Sequence, residues 1–200
     1  MRKAIALVIA VSFVLALCQK SKAEMIWSDG FESDDFSAWT SFTGNWSASG
    51  GNVHSGSKRA QIFGPYSSNG DILLLAQSTV GYKNIRVEHW ARVYESLESN
   101  DFLYIEWSPD GGANWNMQFV YAGGPTTDWQ GFGFLCMPME SADDNPLFQL
   151  RIRSLLNNGS DVIYFDDIVL SGDPIPEPSS IITLAPFLFG LLLCRSKKIS

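Results

Sequence analysis

Between residues 24 and 172 no apolar pattern holds a helical period. Short runs alternate apolar and polar side chains instead, and clusters of Gly, Asn, Asp and Ser break them up. A two-residue period places alternate side chains on opposite faces of a strand, so this region is predicted to be all-β, with about ten strands. Candidate strands fall near 27–31, 45–49, 59–63, 72–77, 85–94, 102–107, 115–121, 131–136, 148–154 and 162–170. That number and spacing suit a jelly-roll β-sandwich.

Three of these strands show their faces plainly. Ile85, Val87, Ala91 and Val93 alternate with Arg86, Glu88, Trp90, Arg92 and Tyr94. Leu103, Ile105 and Trp107 alternate with Phe102, Tyr104 and Glu106, and Phe148, Leu150 and Ile152 with Gln149, Arg151 and Arg153. One phase is core and the other meets water. The wet phase carries the same aromatic and arginine chemistry in each strand, so the three are expected to share one polar face. The closing strand has Tyr164, Ile168 and Leu170 in one phase and Phe165 and Val169 in the other, which predicts a strand covered on both sides.

The two ends differ from the middle. Arg2 and Lys3, an apolar run over 4–17 and Ser21-Lys22-Ala23 have the layout of a secretory signal peptide over residues 1–23, cleaved after Ala23 by signal peptidase. Leu17, before Cys18, is too large for a lipoprotein acceptor site. Residues 173–180 form a Pro-rich linker containing Pro176, Glu177 and Pro178, followed by an apolar run over 181–194 and a basic end over 195–200 with Arg195, Lys197 and Lys198. As a helix the apolar run rises about 21 Å, less than a ~30 Å hydrocarbon core, and Pro186 interrupts it. The basic cluster is expected to stay cytoplasmic and the upstream chain outside.

Without these ends, residues 24–175 carry 7 Lys and Arg against 20 Asp and Glu, a net charge of −13, whereas the whole chain is at −7. Such a surface disfavours nucleic acid and anionic membranes as partners. Cys18 and Cys194 lie in the two end segments, so Cys136 is the one cysteine of the middle region and an internal disulfide there is excluded. Its apolar neighbours predict a buried, inert thiol.

The ordered tail of Pro-Glu-Pro, short apolar helix and basic end resembles the PEP-CTERM sorting signal. That resemblance implies an exosortase-type membrane protease as partner, a Gram-negative host that makes exopolysaccharide, transient membrane insertion, and removal of the tail near residues 176–178. The segments Asp29-Gly30-Phe31-Glu32, Phe36 to Trp39, Val53-His54-Ser55-Gly56-Ser57, the 107–115 hairpin and Tyr164-Phe165-Asp166-Asp167-Ile168 resemble secreted bacterial jelly rolls similar to MAM-type domains and galactose-binding-like carbohydrate-binding modules. The same resemblance implies a structural Ca2+ held by Glu32, an oxygen near Ser55, and Asp166; a calcium cage requires several hard oxygens. Ser108-Pro109-Asp110-Gly111-Gly112-Ala113-Asn114-Trp115 matches the Asp-box pattern, read as a structural hairpin, and its single copy excludes a sialidase propeller.

Catalytic residues are not evident. His89 lies in phase with Val87 and Ala91 and reads as a core histidine, and His54 reads as loop structure. Asp166 and Asp167 are adjacent, so on a regular strand they point to opposite faces and cannot flank one bond. The sequence therefore predicts an exported, non-catalytic surface or matrix protein associated with exopolysaccharide or biofilm. Its alternative is a glycan-binding module whose face carries Trp90, Tyr94, Tyr104, Arg92, Arg151 and Arg153, where rings stack on sugars and guanidinium forks bond hydroxyls or carboxylates. A polysaccharide-active enzyme is the third reading.

Overall fold

The computed structural model describes residues 22–66, 70–93, 97–121 and 128–176. Residues 1–21 of the expected signal peptide, Tyr94, and the tail from Glu177 onward lie outside the described residues. That tail includes Pro178, the 181–194 run, Arg195, Lys197 and Lys198. Among the described residues no helix is long and apolar enough to cross a membrane.

The alternating runs form β1 (Glu24–Asp29), β2 (Ser41–Thr43), β3 (Trp46–Ser49), β4 (Arg59–Phe63), β5 (Asp71–Ala76), β6 (Tyr82–Val93), β7 (Phe102–Ser108), β8 (Asn116–Tyr121), β9 (Gln130–Leu135), β10 (Gln149–Leu155) and β11 (Val162–Pro174). One helical turn, α1 (Met139–Ala142), precedes β10. Ten of the eleven strands answer to runs read from the sequence. The unpredicted one, β2, is three exposed residues held by pairing to β5, so it leaves no burial pattern to read.

The strands make two antiparallel sheets packed as a jelly-roll β-sandwich. Sheet A runs β3-β4-β11-β6-β9, with β1 also pairing β11, and sheet B runs β2-β5-β10-β7-β8. The inward phase fills the space between them: Ile62, Leu73, Ile85, Leu103, Ile105, Trp107, Phe148, Leu150, Ile152 and Phe165 are all fully or almost fully buried. Trp107 stacks on Phe148 with centroids 5.8 Å apart. His89 belongs to this interior, as its phase implied; its Nε2 lies 2.7 Å from the Tyr121 hydroxyl, and burial pushes the imidazole down to about 3, so it stays neutral. Cys136 is buried, and its thiol is pushed up first by burial and then by the charge of Asp143.

Two expectations change. The strands thought to share one polar face belong to different sheets: β6 lies in sheet A, whereas β7 and β10 lie in sheet B. Trp90 and Arg92 therefore point away from one side of the sandwich and Tyr104, Arg151 and Arg153 away from the other, because side-chain period fixes the phase of a strand and says nothing of which sheet it joins. The closing strand is covered on both faces only before its bulge, where Val162, Ile163, Tyr164, Phe165 and Asp166 are all buried. Its register to β6 shifts between Asp166 and Val169, and Asp167 takes a φ of 48°. This bulge inserts a residue and flips the phase, so Phe165 before it and Ile168 and Leu170 after it all reach the core. The same strand continues through Asp173 and Pro174, beyond the expected linker start, with Asp173 opposite Lys83 and Pro174 opposite Tyr82.

Because Phe148 is almost fully buried against Trp107, Phe148→Ala should cost about 3–5 kcal/mol. Urea denaturation should show a lowered midpoint with an unchanged slope.

Candidate functional site

The β11 bulge brings together residues that a regular strand would separate. Asp166 is buried, and its Oδ2 accepts from the backbone N–H of His54 (2.9 Å) and Ser55 (3.2 Å). Burial raises the Asp166 carboxyl above its usual range, the two loop N–H groups pull it back, and the neighbouring Asp167 charge adds to the rise. Asp167 turns toward the same loop: its Oδ1 accepts from the Ser55 hydroxyl (2.8 Å), and its Oδ2 lies 2.6 Å from His54 Nδ1. The expectation that these two carboxylates cannot converge is thus overturned by the bulge.

A third carboxylate closes the loop from β1's side. Glu32 accepts from the Ser57 hydroxyl (2.6 Å) and from the N–H groups of Ser57 (2.8 Å) and Lys58 (2.9 Å). These bonds, led by the Ser57 hydroxyl, hold Glu32 below the usual carboxylate range. Gly56 sits in the left-handed region at φ +58°, and an added Cβ would collide with the Glu32 carboxylate. Glu32, Ser55 and Asp166 therefore meet on one loop, but their oxygens face N–H and O–H donors. Calcium needs six to eight oxygens at about 2.3–2.6 Å. Among the described residues no group of three or more His, Cys, Asp or Glu is placed to hold a metal ion.

The tied loop presents His54 to the outer face of sheet A. The imidazole stacks on Trp90 with centroids 3.8 Å apart and planes 14° from parallel, and Trp129 meets it edge-on at 6.0 Å. Across β9, Gly131 pairs Trp90 and Gly133 pairs Glu88. A Cβ on Gly131 would meet the Trp90 ring at 3.1 Å, so the indole lies across bare backbone. Beside it opens a depression of about 350 Å3 lined by Glu88, Trp90, Gly131, Gly133, Asp167 and Val169, within the size range of small-ligand clefts. Arg92 is on the same outward phase, opposite Tyr164, whose ring is covered by the Arg59 guanidinium at 3.8 Å.

This arrangement lacks hydrolytic chemistry of the serine type. A nucleophilic serine needs the imidazole between hydroxyl and carboxylate. Here the Asp167 carboxylate stands between Ser55 and His54 and takes a bond from each, so the imidazole does not face the hydroxyl. What the depression offers is an aromatic wall with the carboxylates Glu88 and Asp167 beside it as acceptors.

Sheet B carries the rest of the expected face. Arg151 and Arg153 both bond Glu106, and Tyr104 lies beneath Arg153 at 4.5 Å. The Asp-box segment forms the β7–β8 turn as read: Asp110 accepts from the Ser108 hydroxyl and from the Asn114 N–H, both at 2.8 Å, and the Trp115 indole donates to the Gly112 carbonyl at 3.0 Å. Pro176 is exposed just past β11. A larger groove of about 740 Å3 opens beside β2 and β3, lined by Phe36, Trp39, Phe42 and Trp46 among others. Three of those four rings are core residues, and its two carboxylates are tied to Lys58 and Ser37, so we place the site at Trp90.

Sequence reading missed His54 and Trp129 as site residues and passed over the glycines of β9. Gly131 and Gly133 alternate with Phe132 and Phe134, which are partly buried against the core, a signal that one face of the strand is stripped for close approach. His54 had no comparable signal, since its position depends on bonds to residues more than a hundred positions away.

No family model and no curated protein matches this sequence. Solved structures do. TmCBM61 in complex with β-1,4-galactotriose matches at TM-score 0.51 and 17% identity, over 72% of this chain and 94% of that one. The C-terminal family 22 carbohydrate-binding module of Clostridium thermocellum Xyn10B matches at 0.52 and 15%, over 76% and 96%. The K3 cleaved adhesin domain of Lys-gingipain from Porphyromonas gingivalis matches at 0.51 and 12%, over 75% and 99%. At these identities the likeness establishes the fold, a jelly-roll β-sandwich shared with carbohydrate-binding modules and an adhesin domain.

The depressed Glu32 carboxyl gives a signed pH prediction. A carboxylate lowered on folding contributes stability that is complete above its unfolded value and lost as pH falls through the folded one. The stability gap between wild type and Glu32→Gln should be full well above pH 4.5 and should close as pH drops below it. Denaturant melts at stepped pH will check this; a gap independent of pH would refute it.

Proposed function

We propose that the protein is a non-catalytic glycan-binding module exported to the cell surface, with its sugar site in the depression beside Trp90. The observation that carries this reading is the Trp90–His54 stack laid over bare β9 backbone, with Glu88 and Asp167 lining the same hollow. Aromatic side chains present apolar surface to the C–H groups of a pyranose, and carboxylates accept its hydroxyls. No cation is among the residues lining the hollow, which suits a neutral sugar. The likeness to carbohydrate-binding modules supports the reading at the level of fold.

The ends set the context. With a signal peptide over 1–23 and a PEP-CTERM tail centred on Pro176, Glu177 and Pro178, signal peptidase and an exosortase process the chain. The module is then left in the surface or extracellular matrix, where it associates with exopolysaccharide. Intact mass of the protein recovered from its native envelope tests both cleavages; a mass equal to the full chain would sink the sorting reading.

For binding, calorimetric titration with β-1,4-galactotriose and with neutral oligosaccharides from the producer's exopolysaccharide should give saturable binding without released reducing ends. Trp90→Ala should weaken it about tenfold, as expected for removing an aromatic wall. Gly131→Ala, whose methyl meets the Trp90 ring at 3.1 Å, should weaken it less. Equal affinity in wild type and Trp90→Ala would remove the site from this face.

A further inference from the structure

The outer face of sheet B holds a second, chemically opposite arrangement. Glu106 is buried at 6% exposure between two arginines. Its Oε2 accepts from Arg151 Nε (2.6 Å) and Arg153 Nε (3.0 Å), and its Oε1 from Arg153 Nη2 (3.1 Å). Burial pushes the Glu106 carboxyl up, but the hydrogen bonds from Arg153 and Arg151 outweigh it and hold it below its usual range. Each guanidinium also lies on a ring, Arg151 on Trp115 at 3.8 Å and Arg153 on Tyr104 at 4.5 Å, and Tyr104 stacks with Phe102 at 5.7 Å.

One arginine would balance Glu106. The second leaves a fixed surplus cation in a region whose net charge is −13. Both Nη nitrogens of Arg151 and Nη1 of Arg153 have no protein partner among the described residues. In register, the row through Arg151 reads Ser41, Leu74, Arg151, Glu106, Met117, and the row through Arg153 reads Thr43, Ile72, Arg153, Tyr104, Val120. No other charged residue stands in either row. The forks are thus pre-positioned by Glu106 and the rings, and binding an anion loses little side-chain freedom.

We propose that this face is a second site, separate from the one beside Trp90, and that it takes the carboxylate of a uronate-bearing glycan. The free guanidinium edges receive the planar carboxylate, a geometry that suits a fork, and the Trp115 and Tyr104 rings flank the sugar. The sandwich then carries a neutral-sugar face and an acidic-sugar face on opposite sides, and one molecule can bridge two polysaccharide strands.

The test is calorimetric titration of the purified protein with trigalacturonate, its methyl ester and a sulfated galactan oligosaccharide, at low and high salt. Trigalacturonate should bind at least about tenfold tighter than its uncharged ester, and salt should weaken it. Arg151→Lys keeps the charge but loses the fork, and should weaken binding about tenfold. Met117→Glu, at an exposed position that leaves the Glu106 pairing intact, should abolish it if the lysine variant does not fold. Trp90→Ala should leave it unchanged. Equal affinity for acid and ester, loss on Trp90→Ala, indifference to both sheet-B variants, or binding of the sulfated sugar alone would overturn the assignment. Failure of trigalacturonate with retained galactotriose binding would overturn this site and leave the sheet-A reading standing.

Discussion

The bulge in β11 ties the architecture to the site. One extra residue at Asp166–Asp167 switches the phase of the longest sheet-A strand, so that Phe165, Ile168 and Leu170 can all be buried. The same kink aims two neighbouring carboxylates at the loop 54–55, where they accept backbone and side-chain hydrogen bonds. Without that loop His54 would not lie on Trp90, and the aromatic wall on sheet A would be a lone indole. A backbone irregularity that interrupts the ladder is therefore what couples core packing to the outer face.

Carboxylates do most of the polar work inside this acidic protein. Asp29 accepts from the Phe31 N–H and the Trp39 indole, Glu32 and Asp166 hold the loop 54–58, and Glu106 holds two arginines. Asp29, Asp166 and Glu106 are buried, and each is satisfied by N–H or guanidinium donors, which is the condition under which burying such a group is tolerable; Glu32 does the same work at the exposed rim.

Much of the fold was legible in the residues themselves. Alternation in 85–93, 102–107 and 149–154 marks three of the central strands and their buried phase, and the structure buries that phase throughout. His89 and Cys136 were readable as core from their neighbours, and the Ser108–Trp115 turn from its Asp and glycines, because these depend on local phase or on contacts a few residues apart. The site was less legible. Trp90 and Arg92 were singled out, but His54 and Trp129 join them across large sequence separations that no local pattern records. The reading of one polar face failed because a strand's periodicity is blind to its neighbours: β6 pairs with β11 and β9, whereas β7 and β10 pair with each other.

What the sequence determined by itself is whatever a short stretch of chain can encode: the strand phases, the turn chemistry, the acidic balance, and the contrasting composition of the two ends. What only the tertiary structure decided is which faces lie together. Pairing partners and the β11 bulge set whether Trp90 meets His54 or Arg151, and these are fixed by packing and hydrogen bonds between segments as far apart as His54 and Asp166. Side-chain period sets a direction relative to one strand; only the closed sandwich sets directions relative to each other.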